Sequence, residues 1–158
     1  MKQPLALVLL LLAACATTTS TAPATTADND EFDIKATVLA AYNVISGPAG
    51  RRDWNRFKDL FAPGGQVIHM MADGSFKTMT PDDFTTIAKP MLDQSGLFVH
   101  PTSTRVQHEG NLATVLSAFE SRRASNDAQP FEKGVDAFQL LRSNGQWKIV
   151  SITRTMNP

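Results

Sequence analysis

Two side chains of this sequence stand where chemistry could be done, Asp136 and His69. The stretch from Gly134 to Thr155 reads as two strands joined by Ser143-Asn144-Gly145-Gln146, because Asn-Gly is the strongest short signal for a two-residue hairpin turn. Such a turn sets Arg142 opposite Trp147, Leu140 opposite Ile149, Phe138 opposite Ser151 and Asp136 opposite Thr153. Directly opposed residues share a face. One face then carries Asp136, Phe138, Leu140, Trp147 and Ile149, and the other carries Leu141, Lys148, Ile152 and Arg154. An acid in mid-strand beside two aromatic rings is out of place. Aspartate is disfavoured in strands, and a carboxyl on a buried face needs a partner or a raised pKa. Three readings stay open: a half-covered face, a group satisfied by Thr153 across the ladder, or a working acid kept protonated by Phe138 and Trp147. His69 lies on a strand read over Gln66 to Met71. Its imidazole is either an ordinary strand residue or a group able to take a proton near neutral pH.

Other chemistries find less support. His69, His100 and His108 are far apart and follow no ligand spacing such as HExxH. Cys15 is the one cysteine, which excludes an internal disulfide and a cysteine-built zinc site. Neither a metal nor an organic cofactor is expected. The 15 basic and 15 acidic residues balance without a basic stripe, so nucleic acid is not an expected partner.

The elements that must position these groups follow from periodicity. Ile34, Val38, Ala41, Tyr42 and Ile45 recur at helical spacing, with a start at Asp30 or Asp33 and a stop at Gly47-Pro48. A short helix is read over Asp53 to Phe61, ended by Pro63-Gly64-Gly65. Gln66 to Met71 is a strand, followed by a turn at Asp73-Gly74. A third helix opens with Thr80 as N-cap, Pro81 at its first position and Asp82-Asp83 at the positive end of the dipole. Its apolar stripe is Phe84, Ile87, Ala88 and Met91, with Pro90 inside it as a kink or a stop. Beyond Gly96 the period changes to two, giving strands over Leu97 to His100, Thr104 to His108, Leu112 to Arg123, Gly134 to Arg142 and Trp147 to Thr155. Phe119 falls by alternation with Val115 and Ser117, facing either the core or a cavity. Helices first and antiparallel strands after them argue an α+β domain with helices on one face of a curved sheet.

That order, with the ending GVDAFQLLRSNGQWKIVSIT, resembles the nuclear transport factor 2-like superfamily and its bacterial SnoaL-like members over Asp33 to Thr155. The resemblance implies a cystatin-like cone, a sheet wrapped round three N-terminal helices with a pocket at its open end, and a homodimer through the sheet. It is a resemblance of fold more than of function. Arg154, on the face opposite Asp136, fits such an inter-subunit surface. Phe119, Phe138 and Trp147 are the expected ligand-contacting side chains. The ketosteroid isomerase branch implies more: an acid in an Asp-x-Phe context in the oxyanion hole, here Asp136-Ala137-Phe138, and a tyrosine from the first helix, here Tyr42. It also places a base eight residues after the Phe ending the second helix, here His69 counted from Phe61. The base of that branch is an aspartate, so this chain departs from it. On that reading Tyr42 and a neutral Asp136 donate to an enolate oxygen while His69 moves the proton.

The start of the chain speaks of address. Lys2, the apolar run Leu5 to Leu12 and the small residues Ala13-Ala14 read as a secretory signal over 1–14, too short to span a bilayer, which needs about 20 apolar residues. Leu12-Ala13-Ala14-Cys15 resembles the bacterial lipoprotein signal, which implies cleavage before Cys15 and acylation of its thiol. Ala16, where an aspartate would retain the protein at the inner membrane, implies the outer one, on its periplasmic side. Residues 15–31, with six threonines in Ala16 to Glu31, fit an unfolded tether, spanning about 20–25 Å on average as a flexible coil. The folded domain is then 32–158. Three functions are compatible with this: an envelope module binding a small, partly apolar ligand in its cone; a proton-transfer enzyme (isomerase, dehydratase or cyclase) with His69 as base; and a non-catalytic interaction module with a filled cone.

Mass spectrometry of protein extracted from membranes is expected to show lipid on an N-terminal Cys15. A bare thiol at that position removes the anchor.

Overall fold

The computed structural model describes residues 26–71 and 73–156. The signal 1–14, Cys15 and the tether up to residue 25 lie outside the described residues. The chain forms α1 (Thr26–Ile45), α2 (Trp54–Asp59), β1 (Phe61–Met70), β2 (Phe76–Met79), α3 (Pro81–Gln94), β3 (Phe98–Glu109), β4 (Leu112–Arg122), β5 (Glu132–Ser143) and β6 (Gln146–Met156). The six strands make one curved, unclosed sheet in the order β2-β1-β6-β5-β4-β3. Only β1 and β6 pair in parallel. This is the expected α+β cone.

The first helix buries the stripe read from the sequence, Ile34, Val38, Ala41, Tyr42 and Ile45, each at most 7% exposed. It begins at Thr26, inside the segment expected to be tether. An Asp30–Arg142 ion pair of 2.7 Å ties its early part to the hairpin end of β5. At its other end Arg52 donates to the carbonyls of Ile45, Gly47 and Gly50 at 2.9–3.1 Å. Ile45 is the last residue of α1, whose terminal carbonyls lack partners inside the helix, so one guanidinium ties the helix end to the loop that follows it.

The second helix ends at Asp59 rather than Phe61, because Phe61 already pairs with Ile149 of β6. Pro63-Gly64-Gly65 does not end a helix. It forms the irregularity where β1 changes register between Phe61 and Gln66. The short β2 was not read from the sequence, since Phe76–Met79 is almost wholly exposed and carries no alternation. α3 opens on a full capping box between Thr80 and Asp83 with Pro81 in its first turn, and Pro90 does not stop it before Gln94. The two strands expected over Leu97 to His108 are one, β3, with a register shift between Pro101 and Ser103.

The β5–β6 hairpin decides the inner surface. Asn144 and Gly145 take φ of 51° and 76°, as a two-residue turn of this hand requires. Register follows expectation from Ser143↔Gln146 to Leu140↔Ile149, then shifts so that Gln139 faces Ser151. One extra residue on β6, at Val150, makes a β-bulge, and the strand beyond it turns over. Phe138 therefore faces Ile152, and Asp136 faces Arg154 rather than Thr153. Arg154 does not lie on the outer, inter-subunit face. It is turned inward, against the acid.

Gly134 makes this geometry possible. A Cβ there would run into the Thr155 carbonyl oxygen and lie 2.8 Å from the Phe119 ring. Gly134→Ala is expected to destabilise the fold by about 1–3 kcal/mol, as overpacking does, seen as a lower urea midpoint at unchanged slope. A midpoint within error of the parent would show that β5 and β6 can part there at no cost.

Candidate functional site

Between α1, α3 and the inner face of the sheet lies a cavity of about 360 Å³. Its walls are apolar: Ile45, Phe57, Val67, Phe84, Leu92, Leu97, Phe138 and Ile152, with Met71, Met79 and Met91. Its polar lining is contiguous. Tyr42, Asp136, Arg154 and Glu132 form one group, His69 is the β1 neighbour of Arg154, and Lys77 is the β2 neighbour of His69. The sequence-expected trio of Tyr42, His69 and Asp136 thus lines one cavity.

Its internal chemistry differs from the expectation. Asp136 is fully buried. Arg154 donates to it as a fork, Nε to Oδ1 at 2.8 Å and Nη2 to Oδ2 at 2.7 Å. Tyr42 Oη donates to Oδ2 at 2.9 Å. Beneath the guanidinium lies the ring of Phe119, 4.1 Å from Cζ to the ring centre. Two parallel charge-assisted bonds to one carboxylate are the strong form of this pair, and a ring face adds to it. Burial, followed by the charge of Asp136, pushes the Tyr42 phenol far above its ordinary value. For Arg154 burial acts against the charge, but hydrogen bonding and the charges of Asp136 and Glu132 outweigh it, and its pKa is raised.

Both oxygens of Asp136 accept, so it has no proton to give to a ligand. The single proton of Tyr42 is spent on Asp136. The oxyanion pair implied by the ketosteroid isomerase branch is not assembled here. The neutral acid enforced by Phe138 and Trp147 is replaced by a carboxylate neutralised by Arg154. His69 lines the cavity, half-buried, and takes no part in the Tyr42–Asp136–Arg154 hydrogen bonds.

Of the expected ligand-contacting rings, Phe138 lines the cavity and meets Tyr42 edge-on at 5.7 Å. Phe119 and Trp147 are not among the lining residues. Phe119 supports Arg154 from behind, and Trp147 is core beside the hairpin turn, 5% exposed. His100 is exposed and His108 half-buried, and neither lines the cavity. Sequence reasoning missed Arg154, Glu132, Lys77 and the three methionines. The one available signal for Arg154 was an acid demanding a partner with an arginine next to the residue expected opposite it. Among the described residues no three His, Cys, Asp or Glu side chains gather as metal ligands.

No protein-family model matches the chain, and no curated protein does. Solved structures do. A protein of unknown function with a cystatin-like fold from Nostoc punctiforme aligns at a TM-score of 0.66 and 15% identity, over 82% of this chain and 92% of that one. A candidate dehydratase of the NTF2-like family from Streptomyces avermitilis aligns at 0.66 and 14%, over 84% and 99%. A candidate scytalone dehydratase from Novosphingobium aromaticivorans aligns at 0.65 and 13%, over 84% and 87%. At such identities the likeness establishes the fold, the nuclear transport factor 2-like cone.

Tyr42 is the only tyrosine, so phenolate absorbance reports on it alone. With its folded pKa raised above the ordinary 10.0, its protonation contributes stability that is complete below pH 10 and is lost as pH rises above that value. Phenolate is expected to appear only together with alkaline unfolding. A titration centred near 10 in the folded protein would remove the buried Tyr42–Asp136 bond.

Proposed function

We propose that this nuclear transport factor 2-like cone is a binding module for a small, largely apolar molecule, held at the cell envelope by lipid on Cys15. The cavity carries the reading. Pockets of this kind are concave and mostly apolar, with a few placed polar groups that fix orientation. Here the apolar body of a ligand lies against Phe84, Phe138 and the methionines, and its polar group turns toward Arg154 and His69. An open cavity of about 360 Å³ counts against the interaction module with a filled cone. A homodimer through the sheet remains part of the proposal. It is supported by the outward Leu112, Leu116 and Leu141 on β4 and β5, which are 42–51% exposed.

A second reading, the proton-transfer enzyme, has one observation in its favour: His69 lines the same cavity as Arg154. It is also in keeping with the dehydratase names among the structural neighbours. In that reading Arg154, not Tyr42 or Asp136, would polarise a carbonyl, and His69 would move the proton.

Calorimetric titration with a panel of ring and chain compounds, each carrying one oxygen function, separates the two. Ala88→Trp, which fills the cavity from α3, should abolish binding and leave a cooperative unfolding transition. His69→Gln should keep binding. Binding that survives Ala88→Trp would place the ligand elsewhere. Exchange of an α-proton of a bound ketone in deuterated water, present in the parent and lost in His69→Gln, would establish the enzyme.

A further inference from the structure

Which polar group the ligand carries can be read from the donors that the folded chain leaves unspent. Of the five guanidinium N–H groups of an arginine, Arg154 gives two to Asp136. A second carboxylate, Glu132, has its Oε1 3.8 Å from Nη1, too far for a hydrogen bond. The guanidinium is held on one edge by a buried carboxylate and on one face by Phe119. Its remaining edge belongs to a side chain that lines the cavity. Lys77 also lines the cavity, and none of the ion pairs among the described residues includes it. The polar end thus keeps unspent donors, and the guanidinium presents its own in the planar fork that matches two oxygens of one group.

Resting on the binding reading above, we infer that the ligand is an apolar oxyacid whose carboxylate seats on the free edge of Arg154, displacing Glu132, which stands there as a loose place-holder. Glu132 suits that part. It lies at the start of β5, its side chain is 24% exposed, and it can leave for water without stranding a buried charge. Asp136 does not, because it is buried and committed to both Arg154 and Tyr42. The chain therefore carries two carboxylates on one guanidinium, one fixed and one exchangeable, and a third carboxylate, the ligand's, competes only with the exchangeable one. The apolar wall takes the rest of the molecule. The three methionines, being flexible, accept tails of differing shape.

The test compares octanoate, 1-octanol and octylammonium, which share a tail and differ in head group, by calorimetry at neutral pH. Octanoate is expected to bind about tenfold or more tightly than octanol, the order of a hydrogen bond to a charged group. Glu132→Gln, which leaves the buried pair untouched, should tighten octanoate several-fold without changing octanol. Arg154→Met combined with Asp136→Asn, so that no buried charge is stranded, should reduce octanoate to the affinity of octanol. Equal binding of octanoate and octanol to the parent, or no response of octanoate to Glu132→Gln, overturns the oxyacid and leaves the binding module standing. Preference for octylammonium overturns it too, by making Glu132 the anchor. Binding of none of the three removes the binding module, and the oxyacid with it.

Discussion

A buried carboxylate and the half-buried guanidinium clamped onto it set the terms for the rest of this molecule. Removing two charges from water costs several kcal/mol per ion even after relaxation, and the cost is offset only by close geometry with the remaining lone pairs and protons satisfied. The fold supplies that geometry from four elements. β5 brings Asp136, β6 brings Arg154, α1 brings the Tyr42 hydroxyl, and β4 brings the Phe119 ring under the guanidinium. Gly134, which has no side chain, leaves the Phe119 ring its room. The pair therefore fixes how the first helix sits on the sheet. A shift of α1 that took Tyr42 from Asp136 would leave Oδ2 of the buried carboxylate with Arg154 as its one side-chain donor.

The pair exists because of one extra residue. Without the bulge at Val150, Thr153 would meet Asp136 and Arg154 would face outward. A hydroxyl could satisfy one oxygen of the acid but not its charge, and the cation would pass to the outer face beside Val135. With the bulge, the charge is neutralised inside, Ile152 joins the core at 8% exposed, and Ser151 and Thr153 pass to the outer side. Bulges re-aim side chains and are frequent next to functional sites. Here the re-aimed side chain is the one with donors left over.

This also explains how much was legible beforehand. The buried stripe of α1, the Thr80 N-cap of α3 and the Asn144-Gly145 turn are local, and the sequence spells them out. The placing of Asp136 and His69 in one cavity followed from alternation and from likeness to a known cone. The chemistry of Asp136 was not legible, because strict alternation has no means of showing a bulge, and a single skipped residue reverses every side chain beyond it. The same blindness put Arg154 outside and kept Asp136 neutral. Ring and face alone put Phe119 and Trp147 at a ligand, yet both belong to the inner face and neither borders the cavity. Facing inward and lining a cavity are different properties, and only the position of the helices separates them.

Phe84, Ile87, Ala88 and Met91 repeat at helical spacing, yet Leu92 is the one buried residue of α3, while Ile87 and Met91 are 45% and 62% exposed. An amphipathic helix normally draws its stability from the surface its apolar face covers. This one is held by its cap, by Phe84 stacked on Phe57 at 5.2 Å and by Leu92, with the rest of its stripe turned to an open cavity. A ligand filling that space would complete the packing of α3, so occupancy and the stability of this helix are linked by mass action. The two sides of the cavity then have separate tasks. The β5–β6 side, locked by the buried pair, holds its donors in one fixed geometry. The α3 side, with Met79 and Met91 beside it, is loosely packed and can shape itself to what enters. A rigid polar anchor facing an adaptable apolar wall suits selection by head group with tolerance of the tail.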